Sequence, residues 1–332
     1  MNVSVKFVSL ALSATLFAST SHASTKENIK ATDCYDWAGQ RVCRHDEGHT
    51  SGIFHTFDAI KLSGDVPTGR KLHVFLPRSY ESSPKKQYPV IYFNDGQSIF
   101  FPNNSVGKTW KLAETLSDLY ARRLIPEIIT VAVYPVDRDA EYTHVPLLNR
   151  PCCEIETYAR YLTQSLKPFI DQNYRTLADR QHNAIVGSSH GGLAALLTAA
   201  LHPKVFGGIA SLSGSLWVGM EPAGSTVDIE DSELAQLMKN LLESQLTMPR
   251  MYLDWGLHFE GGFHNSFIER HAAKRGLEFA EWLTSAQAYP ANALKVVQDP
   301  DGEHEENSWA KRLPDVLIFL TRSVNLLSKP NT

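Results

Sequence analysis

The sequence predicts an α/β fold, a mostly parallel central sheet with helices on both faces. Two observations carry this. Short, wholly apolar runs such as residues 88–93 and 128–133 suit strands buried on both sides. These runs alternate with stretches of helical spacing such as residues 155–170, the order that parallel β-α-β units require. A third observation places the chemistry: a glycine- and serine-rich turn joins one apolar run directly to a small-residue helix at residues 184–195.

Taken in order, the first residues stand outside the fold. Lys6, an apolar stretch at 7–18 and the small residues of Ser21-His22-Ala23 read as an export signal (residues 1–23) cleaved after Ala23. The apolar stretch is too short to span a bilayer. A periplasmic or secreted protein is expected. Residues 24–52 read as an N-terminal arm with Cys34 and Cys43, and residues 53–328 as one catalytic domain without an internal linker.

Strands are expected at 54–62 and 71–76, joined as a hairpin across the turn residues 64–69. Next come a strand at 88–93, a helix at 110–121, a strand at 128–133 and a helix at 155–170. A strand at 183–186 precedes a helix at 191–201. Strands at 208–212 and 251–253 flank a helix at 232–246. A helix at 267–286, a strand at 294–297 and a helix at 309–326 close the chain. Sheets of this kind carry their sites on the loops at the carboxyl ends of the strands.

The chain has 332 residues, 43% hydrophobic and 20% charged, with a net charge of -4. No basic run is dense enough for nucleic acid or an anionic membrane, which leaves a small or medium molecule as partner. The four cysteines of an exported chain are consistent with disulfides. A local Cys34–Cys43 bridge is the simplest pairing. Cys152 and Cys153 are adjacent, so either a strained vicinal bridge forms or each pairs with one cysteine of the arm. No Cys-x-x-Cys with a matching histidine pair occurs, so neither a metal nor another cofactor is expected.

The segment Ala184-Ile185-Val186-Gly187-Ser188-Ser189-His190-Gly191-Gly192 is a strand, a G-x-S-x-G turn and a helix start, the form of a nucleophile elbow. Glycines flank such a serine because a Cβ there would strike the neighbouring backbone. Only Ser189 has glycine at both minus two and plus two, so Ser189 is the candidate nucleophile of an α/β-hydrolase fold. A serine hydroxyl needs a base, and in this fold the chain order is serine, acid, histidine. His304 stands in a polar turn after the strand at 294–297, where it can reach back over the sheet, and is the candidate base.

The acid has two candidates after the strand at 251–253. Glu260 lies on the loop and is preferred; Asp254, at the strand end, is the alternative, and a Ser–His dyad stays open. The oxyanion donors are expected to be the backbone N–H groups of His190 and of Gln97, the latter after Asn94-Asp95-Gly96.

Tyr92-Phe93-Asn94-Asp95-Gly96-Gln97, Gly187-Ser188-Ser189-His190-Gly191-Gly192, Ser211-Leu212-Ser213-Gly214-Ser215 and His304-Glu305-Glu306-Asn307-Ser308-Trp309 together resemble the Putative esterase family of α/β hydrolases. Esterase D, enterochelin esterases, feruloyl and acetylxylan esterases and mycolyltransferases belong to it, and the resemblance spans roughly residues 54–326. It implies Ser189 as nucleophile, His304 as base and the His190 and Gln97 amides as oxyanion donors. It also implies an acid three residues after Gly256, where this chain has Phe259; Glu260 is one residue late.

The resulting expectation is hydrolysis of carboxylic esters through an acyl-enzyme: siderophore lactones, feruloylated or acetylated polysaccharides, or short-chain esters. An acyltransferase using the same triad, with a sugar hydroxyl in place of water, and a non-catalytic binding protein on the same scaffold are the alternatives. Arg138, Arg150, Trp110, Trp217 and Trp309 are further residues able to line a pocket for an anionic or aromatic substrate.

Overall fold

A computed structural model of the chain describes residues 33–64, 69–102, 107–146, 151–220, 227–244 and 246–322. The expected export signal at 1–23 and Arg150 lie outside the described residues.

Ten strands form one sheet: β1 (Asp33–Trp37), β2 (Gln40–His45), β3 (Gly52–Ile60), β4 (Arg70–Pro77), β5 (Val90–Phe93), β6 (Ile129–Val133), β7 (Asn183–Ser188), β8 (Gly208–Leu212), β9 (Arg250–Gly256) and β10 (Leu294–Asp299). Their spatial order is β1-β2-β3-β4-β6-β5-β7-β8-β9-β10. The first four pair antiparallel, β4 joins β6 antiparallel, and every later pairing is parallel. β5, β6, β7 and β8 are buried at every residue, as mostly apolar strands covered on both faces must be.

The helices are α1 (Ser79–Ser82), α2 (Leu112–Ala121), α3 (Arg138–Tyr142), α4 (Ile155–Arg160), α5 (Lys167–Asn173), α6 (His190–Leu201), α7 (Glu233–Leu242), α8 (Arg270–Glu281) and α9 (Glu306–Thr321). α4 and α5 are one helical rod continued through a π-turn at Tyr161–Leu166. On one face of the sheet α6 packs against α4 and α7; on the other, α2 packs against α9. α6 is apolar on every side and is buried along its length up to Leu201, the signature of a helix inside the core.

β5 pairs with both β6 and β7, so the strand order reverses direction there. At such a reversal the loops leaving the strands diverge to opposite faces and open a crevice. The loops after β5 and β7 therefore stand side by side.

The sequence showed no strands in the N-terminal arm, yet β1 and β2 form a hairpin on the sheet edge. Ala38 (φ 51°) and Gly39 (φ 74°) make its turn, the left-handed pair that a two-residue hairpin needs. Cys34 faces Cys43 in register and the two are bonded. Trp37 packs on Phe57, Phe169 and Tyr174. Cys152 and Cys153 are bonded to each other, so neither links to the arm.

Candidate active site

β7 ends at Ser188, and the chain must turn at once into α6. Ser189 takes φ 53° and ψ −126°, a conformation that side chains seldom adopt. Its N–H donates to Leu212 O (2.9 Å), and its own carbonyl accepts from Ser215 N (2.9 Å), so the next strand's loop holds the turn in place. The flanking glycines leave no room for a side chain: a Cβ on Gly187 would lie 2.2 Å from Gly191 O, and one on Gly191 would lie 2.7 Å from Asp95 Oδ2. Ser189 thus caps the amino end of α6, where the helix dipole favours negative charge.

Residue 304 follows β10 and faces Ser189 across the crevice. His304 Nε2 lies 2.9 Å from Ser189 Oγ, and His304 Nδ1 lies 2.5 Å from Glu269 Oε2. With Nδ1–H donated to the carboxylate, Nε2 is left to accept from the serine hydroxyl. Asn265 Oδ1 accepts the His304 backbone N–H (3.0 Å), and Trp309 stands edge-on to the imidazole at 5.2 Å.

The carboxylate at His304 is neither Glu260 nor Asp254. β9 ends at Gly256, and the following backbone is tied to the β10 exit through Leu257 N to Asp299 O and His258 N to Gly302 O. Glu260 lies past this strip, exposed, and uses only its carbonyl, on Asn265 Nδ2. Gly261 (φ 91°) and Gly262 (φ 110°) then turn the chain into a π-turn, His264–Glu269, which leads into α8. That turn carries Asn265 and Glu269 inward, four residues apart on one face.

Glu269 is fully buried and accepts three hydrogen bonds: from His304, from Ser213 Oγ (2.8 Å) and from the Gly256 N–H. A buried carboxylate must be satisfied in this way. Asp254 is also buried, but it faces Arg312 Nε at 2.9 Å and takes the Ser213 N–H. Burial pushes its carboxyl up to about 6, against the pull of Arg312.

Glu269 did leave a mark in the sequence. Ala272, Ala273, Gly276, Phe279 and Ala280 are the buried apolar residues of α8, with Arg275 buried beside them, and Glu269 extends the apolar stripe by one turn. A carboxylate on an apolar stripe is anomalous unless it has partners. Arg312 breaks the stripe of α9 in the same manner, among buried Trp309, Leu313 and Val316.

Among the described residues, neither the His190 nor the Gln97 N–H is spent on the backbone bonds that tie loops together. His190 Nδ1 lies 3.2 Å from Ser215 Oγ, itself 3.3 Å from Ser189 Oγ. Burial and the nearby Arg138 charge lower the His190 imidazole to about 4, so it is neutral near pH 7. Trp110 and Trp309 prove to be core residues, with Trp309 Nε1 donating to Ser213 Oγ (3.2 Å). Trp217 stands edge-on to His190 at 6.2 Å and to Phe267 at 5.9 Å; Phe267 stacks on Phe263, which is 63% exposed. A line of ring contacts thus runs from His190 through buried Trp217 to exposed Phe263.

A serine, an imidazole and a carboxylate in hydrogen-bonded line, with the serine at a helix start, can carry out acyl transfer. The model of the Putative esterase family matches residues 63–320. The chain belongs to that family. This esterase is 28% identical over 265 residues to the uncharacterized protein YbbA of Bacillus subtilis, which covers 78% of this chain and 95% of that protein. The iron(III) salmochelin esterase of Escherichia coli is 28% identical over 195 residues, 58% of this chain and 44% of that protein. A solved ferulic acid esterase superposes with a TM-score of 0.53 at 21% identity, over 76% of this chain and 92% of that one, which shows a shared fold. The expected family and α/β-hydrolase fold are borne out, and the chain is a carboxylesterase-type hydrolase. Among the described residues no helix is long and apolar enough to cross a membrane.

Proposed function

We propose that this esterase is a serine hydrolase in which Ser189 is the nucleophile, His304 the general base and Glu269 the orienting acid. His304 Nε2 takes the hydroxyl proton as Ser189 Oγ bonds to the ester carbonyl carbon. The carbonyl oxygen becomes an oxyanion held by the His190 and Gln97 N–H groups. The ester C–O bond then breaks, and the proton on Nε2 goes to the departing alcohol. Water repeats the sequence on the acyl-enzyme: His304 takes its proton, the free acid leaves and Ser189 recovers its hydrogen. Glu269 keeps its charge throughout and stabilises the imidazolium.

The observation that carries this reading is the Glu269–His304–Ser189 hydrogen-bonded line ending on a strained strand-to-helix turn. The substrate reading is an ester with an aromatic part. The line of Trp217, Phe267 and Phe263 rings leading from His190 supports it, as do relatives named for salmochelin and ferulic acid. Export to a periplasmic or extracellular space is proposed as well, supported by the two disulfides and the signal-like residues 1–23.

The test is labelling with a fluorophosphonate and turnover of p-nitrophenyl, feruloyl and catecholate esters, on the wild type and on Ser189→Ala. A loss of at least about a thousandfold, with labelling abolished, is expected of a nucleophile. A loss under about tenfold overturns the assignment.

A further inference from the structure

The loop after β5 is fastened at several points. Asp95 holds a left-handed backbone (φ 57°, ψ 47°) and is 4% exposed. Arg138 Nε and Nη2 donate to its two carboxylate oxygens at 2.7 and 2.8 Å, a fork-to-fork pair. The Asp95 N–H donates to Tyr142 Oη (3.1 Å), one turn along α3 from Arg138. Next to it, Tyr158 Oη donates to Asn94 Oδ1 (2.7 Å), and Asn94 Nδ2 donates to Gly191 O (2.8 Å).

This carboxylate is close to the chemistry. A Cβ on Gly191 would stand 2.7 Å from Asp95 Oδ2, so the carboxylate rests against the first turn of α6. The same turn supplies the His190 N–H, and Gln97 lies two residues past Asp95. A bare buried carboxylate here would oppose charge growing on an oxyanion a few ångströms away, where water does not screen it.

We propose that Arg138 is a positioning residue: it cancels the Asp95 charge and clamps the β5 loop, so that the oxyanion donors act in a neutral, fixed frame. The proposal rests on the serine-hydrolase reading above. It also separates Arg138 from a substrate anchor, because two of its three nitrogens are spent on Asp95.

The test is steady-state turnover of p-nitrophenyl acetate by the wild type, Arg138→Gln, Asp95→Asn and the double variant, with fluorophosphonate labelling of each. Arg138→Gln should lower kcat about a hundredfold, comparable to losing one oxyanion donor, with KM changed less than about threefold. Adding Asp95→Asn should recover about tenfold or more, since the uncompensated charge is gone. A raised KM with kcat kept, or a double variant no faster than Arg138→Gln, overturns the proposal. If Arg138→Gln does not fold, the double variant is compared with Asp95→Asn: loss of the arginine should then cost under about threefold, and a loss above about tenfold overturns it. A wild type that neither labels nor turns over defeats the serine reading instead.

Discussion

Ser189 and His304 were legible because each advertises itself locally, one by flanking glycines and the other by its place after the last strand. The structure sets their side chains 2.9 Å apart. Glu269 was not legible by those rules, since it sits neither on the loop after β9 nor at its strand end; a helix carries it back from thirteen residues beyond Gly256. The two glutamates give a clean contrast. Glu269→Gln would offer His304 an amide whose NH₂ group favours the wrong tautomer, leaving Nε2 protonated and unable to accept from Ser189. A kcat loss of about a hundredfold to ten-thousandfold is expected, with KM little changed. Glu260→Gln, on the exposed loop, should stay within about twofold. Steady-state kinetics of both variants on one ester checks this, and a larger loss in Glu260→Gln would reassign the acid.

At the scale of elements, the parallel half of the sheet was readable from its apolar runs, whereas the β1–β2 hairpin was not. β1 (Asp33-Cys34-Tyr35-Asp36-Trp37) is half exposed on a sheet edge and holds no continuous apolar stretch, so its order comes from the turn, the bridge and Trp37. The π-turns at Tyr161–Leu166 and His264–Glu269 were invisible too, because each is one wide turn continuous with a regular helix and has no residue signature of its own. The hairpin lies at the far end of the strand order from β7 and β10, which frame the site. Cross-linking a loop of this length is worth about 2–3 kcal/mol through the unfolded state. Cys34→Ser/Cys43→Ser should therefore lower Tm by roughly 3–5 °C and leave kcat/KM within about twofold. Calorimetry and ester kinetics on one preparation check both halves; a large loss of kcat/KM would show the arm reaching the site.

At the scale of the whole molecule, several buried or half-buried histidines among the described residues have no carboxylate partner, and this sets how stability responds to acid. Burial holds His73 down at about 3, with the charge of Lys71 adding to the effect, and holds His55 and His144 near 4. His73 is 4% exposed, between Thr56 Oγ1 (2.7 Å) and Tyr134 Oη (3.1 Å). Unfolded, each of these takes a proton near its ordinary pKa of about 6.5. Below that pH the unfolded chain binds more protons than the folded one, so stability is complete above about 6.5 and falls as pH falls. Asp254 acts in the opposite sense, because its raised value means the folded state takes up a proton near pH 6 while the unfolded carboxyl is still ionised. With His190, also held near 4, four histidines against one carboxyl make acid destabilisation the net expectation. The share of His73 can be isolated. His73→Gln has no charge to gain, so it should be less stable than the wild type at pH 7.5 and close that gap by about 2 kcal/mol at pH 5. Urea unfolding at the two pH values measures the gap. A gap unchanged between them would mean that His73 is already protonated in the folded protein, and the neutral Thr56–His73–Tyr134 chain would have to be abandoned.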